Sequence, residues 1–191
     1  MTPELRLMAA PARTYAALAR QPSPVGPLTA LRRPLLAAVV LGMAMAFAPT
    51  RHLTPVLVAR TTIAWSFVIG IQILIALPLI AGPARRTVGI ARALDLLFAS
   101  HAPWSLWLLF AAVLPAPLGR PPRLVLPLLA LAPLVMTARA LAAFFREVLQ
   151  LGPRRAALRT VLHQAITWCT FLVLYGSAVA LVPRIYAWLR W

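Results

Sequence analysis

Long apolar runs separated by short arginine-bearing connections set the pattern of this chain. A helix needs about 20 apolar residues to cross a hydrocarbon core of roughly 30 Å. Five runs meet or approach that length, at approximately 31–48, 61–81, 96–118, 124–145 and 161–182. The second, TTIAWSFVIGIQILIALPLIA, and the fifth, VLHQAITWCTFLVLYGSAVALV, carry no charge. The first has only 14 charge-free residues, LLAAVVLGMAMAFA. It spans if Arg32 and Arg33 snorkel to the headgroups, and otherwise forms a re-entrant or tilted segment. Pro103 and Pro115 in the third run, with Pro127 and Pro133 in the fourth, predict kinks. Such prolines are tolerated in lipid where a neighbouring helix or water takes up the carbonyls they free.

Composition sharpens this picture. Of 191 residues 62% are hydrophobic and 12% charged, against roughly 25% charged in a soluble globular domain. Mean hydropathy is +0.85. The pattern is that of an all-α, polytopic membrane helical bundle of about five transmembrane helices. All 19 basic residues are arginine, against three acids, Glu4, Asp95 and Glu147, for a formal net charge of +16. The arginines lie in short connections between apolar runs and do not interleave with aromatics, so anionic lipids, not nucleic acid, are the expected counter-charge. A single cysteine, Cys169, excludes an internal disulfide and a cysteine-based metal cage.

Cytoplasmic connections retain positive charge, and the arginines sort accordingly. One side collects Arg6, Arg13, Arg20, Arg32 and Arg33 before the first run, Arg85, Arg86 and Arg92 between the second and third, and Arg146, Arg154, Arg155 and Arg159 between the fourth and fifth. That side carries 12 arginines and the opposite side 6. The expected topology therefore has the N-terminus cytoplasmic and the C-terminus outside. Trp65, Tyr186, Trp188 and Trp191 fit an aromatic belt on the outer face. By the same division, 1–30 is a basic cytoplasmic or interfacial segment, 31–183 a five-span domain and 184–191 a short aromatic and basic tail.

The opening stretch RLMAAPARTYAALARQPSPVGPL is unlike the rest. Arg6, Arg13 and Arg20 recur every seventh residue and interrupt each window in which a secretory signal would need an apolar core of about 7–15 residues. An arginine-rich, acid-poor transit peptide shares these features, but the framing by Pro11 and Pro22 predicts a built helix over 11–21. Ala12, Tyr15, Ala16 and Ala19 share one face, and Arg13 and Arg20 another. A helix so short is marginal in water, so the pattern predicts one lying in the cytoplasmic interface, apolar face in lipid and arginines at the phosphates. The plainer alternative is a basic arm that only enforces topology.

This stretch, with its Pro-Xaa-Arg-Thr-aromatic segment and Pro-Ser pair, resembles the prelude of bacterial members of the Yip-domain family, named for Ypt/Rab-interacting proteins. The specific match covers about residues 5–28, and the remainder agrees in topology alone. The Asp-Leu-Tyr-Gly-Pro and Gly-Tyr-Gly runs of the eukaryotic branch are absent, the nearest string being Asp95-Leu96-Leu97, so Rab binding is not carried over. The resemblance implies a non-enzymatic, multi-pass protein of a bacterial inner membrane, engaged in membrane organisation or in binding other membrane proteins or copies of itself.

Polar residues at membrane depth are where a site is sought. In RALDLLFASHAPW, Arg92 and Asp95 stand three apart and can pair. His101, before Pro103, is a candidate proton carrier, but it lies about 240° around a helix from Asp95. Arg139 is the deepest charge in the chain. Glu147, about 80° away on the same helix, can reach it through a kink or be neutralised by Arg146 or Arg154. Arg92, Asp95, His101, Arg139 and Glu147 thus form the candidate intramembrane polar site. His52, His101 and His163 fall on separate elements without a carboxylate at ligand spacing, and no phosphate loop or nucleophile elbow occurs, so neither cofactor nor metal is expected. Gly70 and Gly176 suit packing notches between helices. Two further functions stay open: a small transporter or channel component, favoured by a cavity lined by Arg139, Gln72 and Gln164, and an accessory subunit of a larger inner-membrane complex.

Overall fold

The computed structural model of the chain describes residues 2–21, 27–113 and 125–188. The described residues are helical almost throughout: α1 (Pro3–Ala9), α2 (Pro11–Arg20), α3 (Pro27–Thr50), α4 (Pro55–Arg86), α5 (Ile90–Ala99), α6 (Ala102–Val113), α7 (Val125–Ala143) and α8 (Pro153–Trp188). A π-helical turn, Phe144–Val148, continues α7. Four helices are long and apolar enough to cross a membrane, and a fifth span arises if α5 and α6, bent by 40° at Ser100–His101, count as one. The all-α character expected from the apolar pattern holds, and four to five helices could cross a membrane.

The first span is one continuous helix. At 1.5 Å per residue, the 24 residues of α3 reach about 36 Å, so with both of its flanks the short charge-free run becomes part of a helix long enough to cross. The third span breaks one residue before α6, whose second residue is Pro103, because a proline suits the first turn of a helix and disfavours helical backbone just before it. Helix α8 begins at Pro153, eight residues before the expected fifth span, and runs on through Trp188 into the segment assigned to the tail. Pro115, Arg120, Arg123, Arg190 and Trp191 lie outside the described residues.

Prolines inside spans leave identifiable traces. Pro83 lacks an N–H, which frees the carbonyl of Leu79 four residues earlier. The guanidinium of Arg159 in α8 donates to that carbonyl. A neighbouring helix thus supplies the donor that α4 lacks. At the other end of the bundle Arg51 donates to the Ala112 carbonyl at 2.8 Å, tying the α3–α4 connection to the end of α6.

Helices α3 and α4 meet at a glycine, though not one expected from sequence. A β-carbon on Gly42 would stand 2.7 Å from the Thr62 backbone, and Thr61 donates to the Gly42 carbonyl at 2.8 Å. At Gly70 and Gly176 an added β-carbon meets nothing within 4 Å among the described residues. The packing notch is therefore Gly42, and Gly70 and Gly176 are not notches here. Which glycine faces a partner helix depends on how the helices rotate, which local sequence does not state.

The two short N-terminal helices cap one end of the bundle. Helix α2 packs on the π-helical turn and the end of α7. Tyr15 and Leu18 are buried, Tyr15 completely. The amphipathic helix exists almost over its expected range, but protein buries Tyr15 and Leu18 of its apolar side, while Ala12 stays exposed.

Candidate functional site

Beneath α1 and α2 lies a cluster of charges. Arg33, one turn into the apolar part of α3, is 7% exposed. Its guanidinium pairs with Asp95 of α5 on one side and with Glu4 of α1 at 3.3 Å on the other. Arg92 approaches the same Asp95 oxygen at 3.5 Å and Arg32 at 3.8 Å. Three guanidiniums face two of the chain's three acids. Arg92 also donates at 3.1 Å to the Leu18 carbonyl in the last turn of α2, which the Gln21 amide reaches at 3.3 Å.

Tyr15 completes the joint. The Ser100 amide bonds to Leu97, three residues back, leaving the Leu96 carbonyl without that amide at the end of α5. The Tyr15 hydroxyl donates to it at 3.1 Å. Its ring meets Phe144 edge-on with centroids 5.8 Å apart. The π-helical turn brings Phe144 there, since its wider winding turns both Phe144 and Phe145 inward. Burial pushes the Tyr15 hydroxyl well above the ordinary tyrosine pKa, with the charge on Arg33 partly opposing the shift.

Each site residue named from sequence now has a place. The Arg92–Asp95 pair forms. Arg33 does not snorkel to the headgroups but is consumed by the buried cluster, whereas Arg32 keeps most of its side chain exposed. Arg6, Arg13 and Arg20 are exposed on the outer surface of α1 and α2. Arg139 is exposed on α7, and neither it nor Glu147 forms an ion pair among the described residues. The expected polar group around Arg139 and Glu147 therefore does not assemble, because the π-helical turn alters the angular offset that a regular helix would keep between them.

His101 belongs to a different neighbourhood. It is buried at the α5–α6 bend, and its ring meets that of His163 from α8 with centroids 5.9 Å apart. Both histidines line a cavity of about 660 Å³ between α3, α4, α6, α7 and α8. Gln72 and Gln164 line it as well, while Arg139 does not. In its place α7 contributes Thr137. No group of three or more potential metal ligands occurs among the described residues.

Glu4 and Arg33 are 29 residues apart and Arg33 and Asp95 are 62 apart. The one available hint was scarcity: in a chain with three acids and 19 arginines, each acid is outnumbered by candidate partners. Nothing local selects among them. Comparison with family models, with curated proteins and with solved structures finds no match for the chain, and the functional conclusion rests on the arrangement of its own side chains.

Proposed function

We propose that this chain is a non-enzymatic, five-span membrane protein of Yip-like type, with its N-terminus cytoplasmic and its C-terminus outside, that organises the membrane by gathering anionic lipid at its cytoplasmic face. The observation that carries this is the docking of α2. With Tyr15 and Leu18 turned into the bundle, Arg13 and Arg20 are left on its exposed side. Arg6, Arg85, Arg86, Arg146, Arg154 and Arg155 are exposed on elements at the same end of the bundle.

Glu4 and Asp95, meanwhile, are engaged by Arg32, Arg33 and Arg92. The exposed arginines thus have no carboxylate partner among the described residues, and a surface dominated by positive charge results, with part-exposed Glu147 beside Arg146 the one acid there outside an ion pair. Near an anionic leaflet each basic side chain contributes about 1 kcal/mol, within a Debye length of roughly 8 Å at physiological salt.

The test is the lipid that accompanies the protein when it is cut from a mixed bilayer with a styrene–maleic acid copolymer. Discs holding the wild type should be enriched about twofold or more in phosphatidylglycerol over the surrounding bilayer. Discs holding the fourfold Arg13→Gln, Arg20→Gln, Arg154→Gln, Arg155→Gln variant should lose most of that enrichment. Discs of bulk composition around the wild type would refute the proposal.

One observation favours a second function, a small transporter or channel component: Gln72 and Gln164 line the cavity between the helices. The absence of Arg139 from its wall removes the charge that reading had assigned to it.

A further inference from the structure

Polar atoms within a membrane-spanning bundle are costly unless they are paired, about 1–3 kcal/mol for each buried group left without a partner. The cavity between α3, α4, α6, α7 and α8 gathers several. His163 is 1% exposed and neither of its ring nitrogens has a hydrogen-bond partner among the described residues. The same holds for the hydroxyls of Thr137 and Thr167, the side-chain oxygen of Gln72 and the indole N–H of Trp107. All five side chains line this one space.

Apart from His101, Ser105 and Gln164, the rest of the wall is apolar and rich in indole. Trp65, Trp104, Trp107 and Trp168 line the cavity, and Trp104 packs against Trp107 and Trp168 with centroids 5.5 and 5.3 Å apart. No arginine or carboxylate is among the lining residues. A volume of about 660 Å³ lies within the roughly 300–1,000 Å³ of small-molecule sites, which combine an apolar wall with a few placed polar groups.

We propose that this cavity binds a neutral, lipid-soluble, ring-bearing molecule whose hydroxyl or carbonyl end hydrogen-bonds His163. An anion or cation would enter with no counter-charge on the wall, which disfavours it strongly in this setting. A purely aliphatic chain would fill the volume but leave His163 and both threonines unpaired. A flat ring uses the indole faces, and its polar end answers the orphaned donors and acceptors. The site is separate from the arginine-rich surface, and the variants that test it leave that surface unaltered.

The chain has six tryptophans, and replacing Trp188 and Trp191 with Phe leaves only the four that line the cavity. In that background, reconstituted in nanodiscs of zwitterionic lipid, 4-bromophenol is titrated and indole emission followed, since bromine quenches on contact. Quenching should show a saturable component above the linear part due to partition into lipid. His163→Leu should weaken the saturable component by about tenfold or more, and His163→Gln, which keeps a donor and an acceptor, by about threefold or less. At pH 7.5 anionic 4-bromobenzoate should quench without saturation. If His163→Leu fails to assemble, Thr137→Val with Thr167→Val makes the comparison, and the same weakening is expected. Linear quenching by 4-bromophenol in the parent, which would leave only water or lipid in the cavity, overturns the proposal. So does undiminished affinity in the Leu or Val variants, or saturable binding of 4-bromobenzoate.

Discussion

Asp95→Asn should be among the most damaging single changes outside the spans' apolar core, and more damaging than removing either of its principal companions. The carboxylate is 3% exposed and faces Arg33, Arg92 and Arg32. Its neutralisation leaves the buried Arg33 guanidinium with Glu4 alone and sets three like charges together without the group that held them. Removing one partner of a buried ion pair typically costs about 3–5 kcal/mol, most of it from the charge left uncompensated. Arg33→Met removes the buried cation while Asp95 keeps Arg92 and Arg32, so about 1–3 kcal/mol is expected. The Glu4 side chain is 34% exposed, where water replaces much of the interaction, and Glu4→Gln should cost under about 1 kcal/mol.

Unfolding by sodium dodecyl sulfate in mixed micelles, followed by far-ultraviolet circular dichroism, would rank the three variants. The double variant Arg33→Met, Asp95→Asn is the sharper measurement, because it removes the stranded guanidinium together with its partner. It should be less destabilised than the sum of the single changes by about 1.5 kcal/mol or more. Additivity, or an Asp95→Asn cost no larger than that of Glu4→Gln, would refute the account of the cluster.

Three other outcomes follow from the same structure. Arg159→Met should destabilise the wild type by about 1–3 kcal/mol through loss of its bond to Leu79, and distinctly less in a Pro83→Ala background, where an alanine N–H can reach that carbonyl; thermal melts of the four proteins in detergent give the coupling. The raised Tyr15 pKa means that the folded protein holds its proton where the unfolded chain, near 10.0, releases it. The Tyr15 contribution is therefore complete below about pH 10 and declines above it, and Tyr15→Phe should flatten that alkaline decline in melting temperature while costing about 1 kcal/mol at neutral pH. Alkaline phosphatase, which is active only outside the cytoplasm, should be active when fused after Trp191, and green fluorescent protein at the same place should be dark; the reverse would mean an even number of spans.

Much of the fold was legible before any coordinate. Apolar runs near the thickness of a bilayer determine spanning helices, because the backbone must satisfy its own hydrogen bonds in lipid. Among the described arginines, Arg51 of the α3–α4 connection lies at the end of the bundle opposite Arg85, Arg86, Arg154 and Arg155, as the alternation of connections along the chain implies. Helix α2 was equally local, since Pro11, its alanines and the placement of Tyr15 and Leu18 suffice to set its start and its apolar face. What covers that face was not local. An amphipathic helix buries apolar area as readily against lipid as against protein, and only the arrival of Leu96 and Phe144 from distant elements decides between them.

The same distinction holds for the sites. Arg92 and Asp95 pair within one helical turn, so spacing alone revealed them. Arg33, Glu4 and Asp95 come from three helices, and His163 meets His101 across a cavity bounded by five. Arg139 and Glu147 show the converse: a regular helix was the natural assumption between them, and a π-helical turn, invisible to apolar periodicity, replaced it. Sequence determines each helix and its two ends, because those depend on neighbours along the chain. The rotation of each helix about its axis depends on contacts between helices, and that rotation decides which charges become buried partners and which polar groups share a cavity.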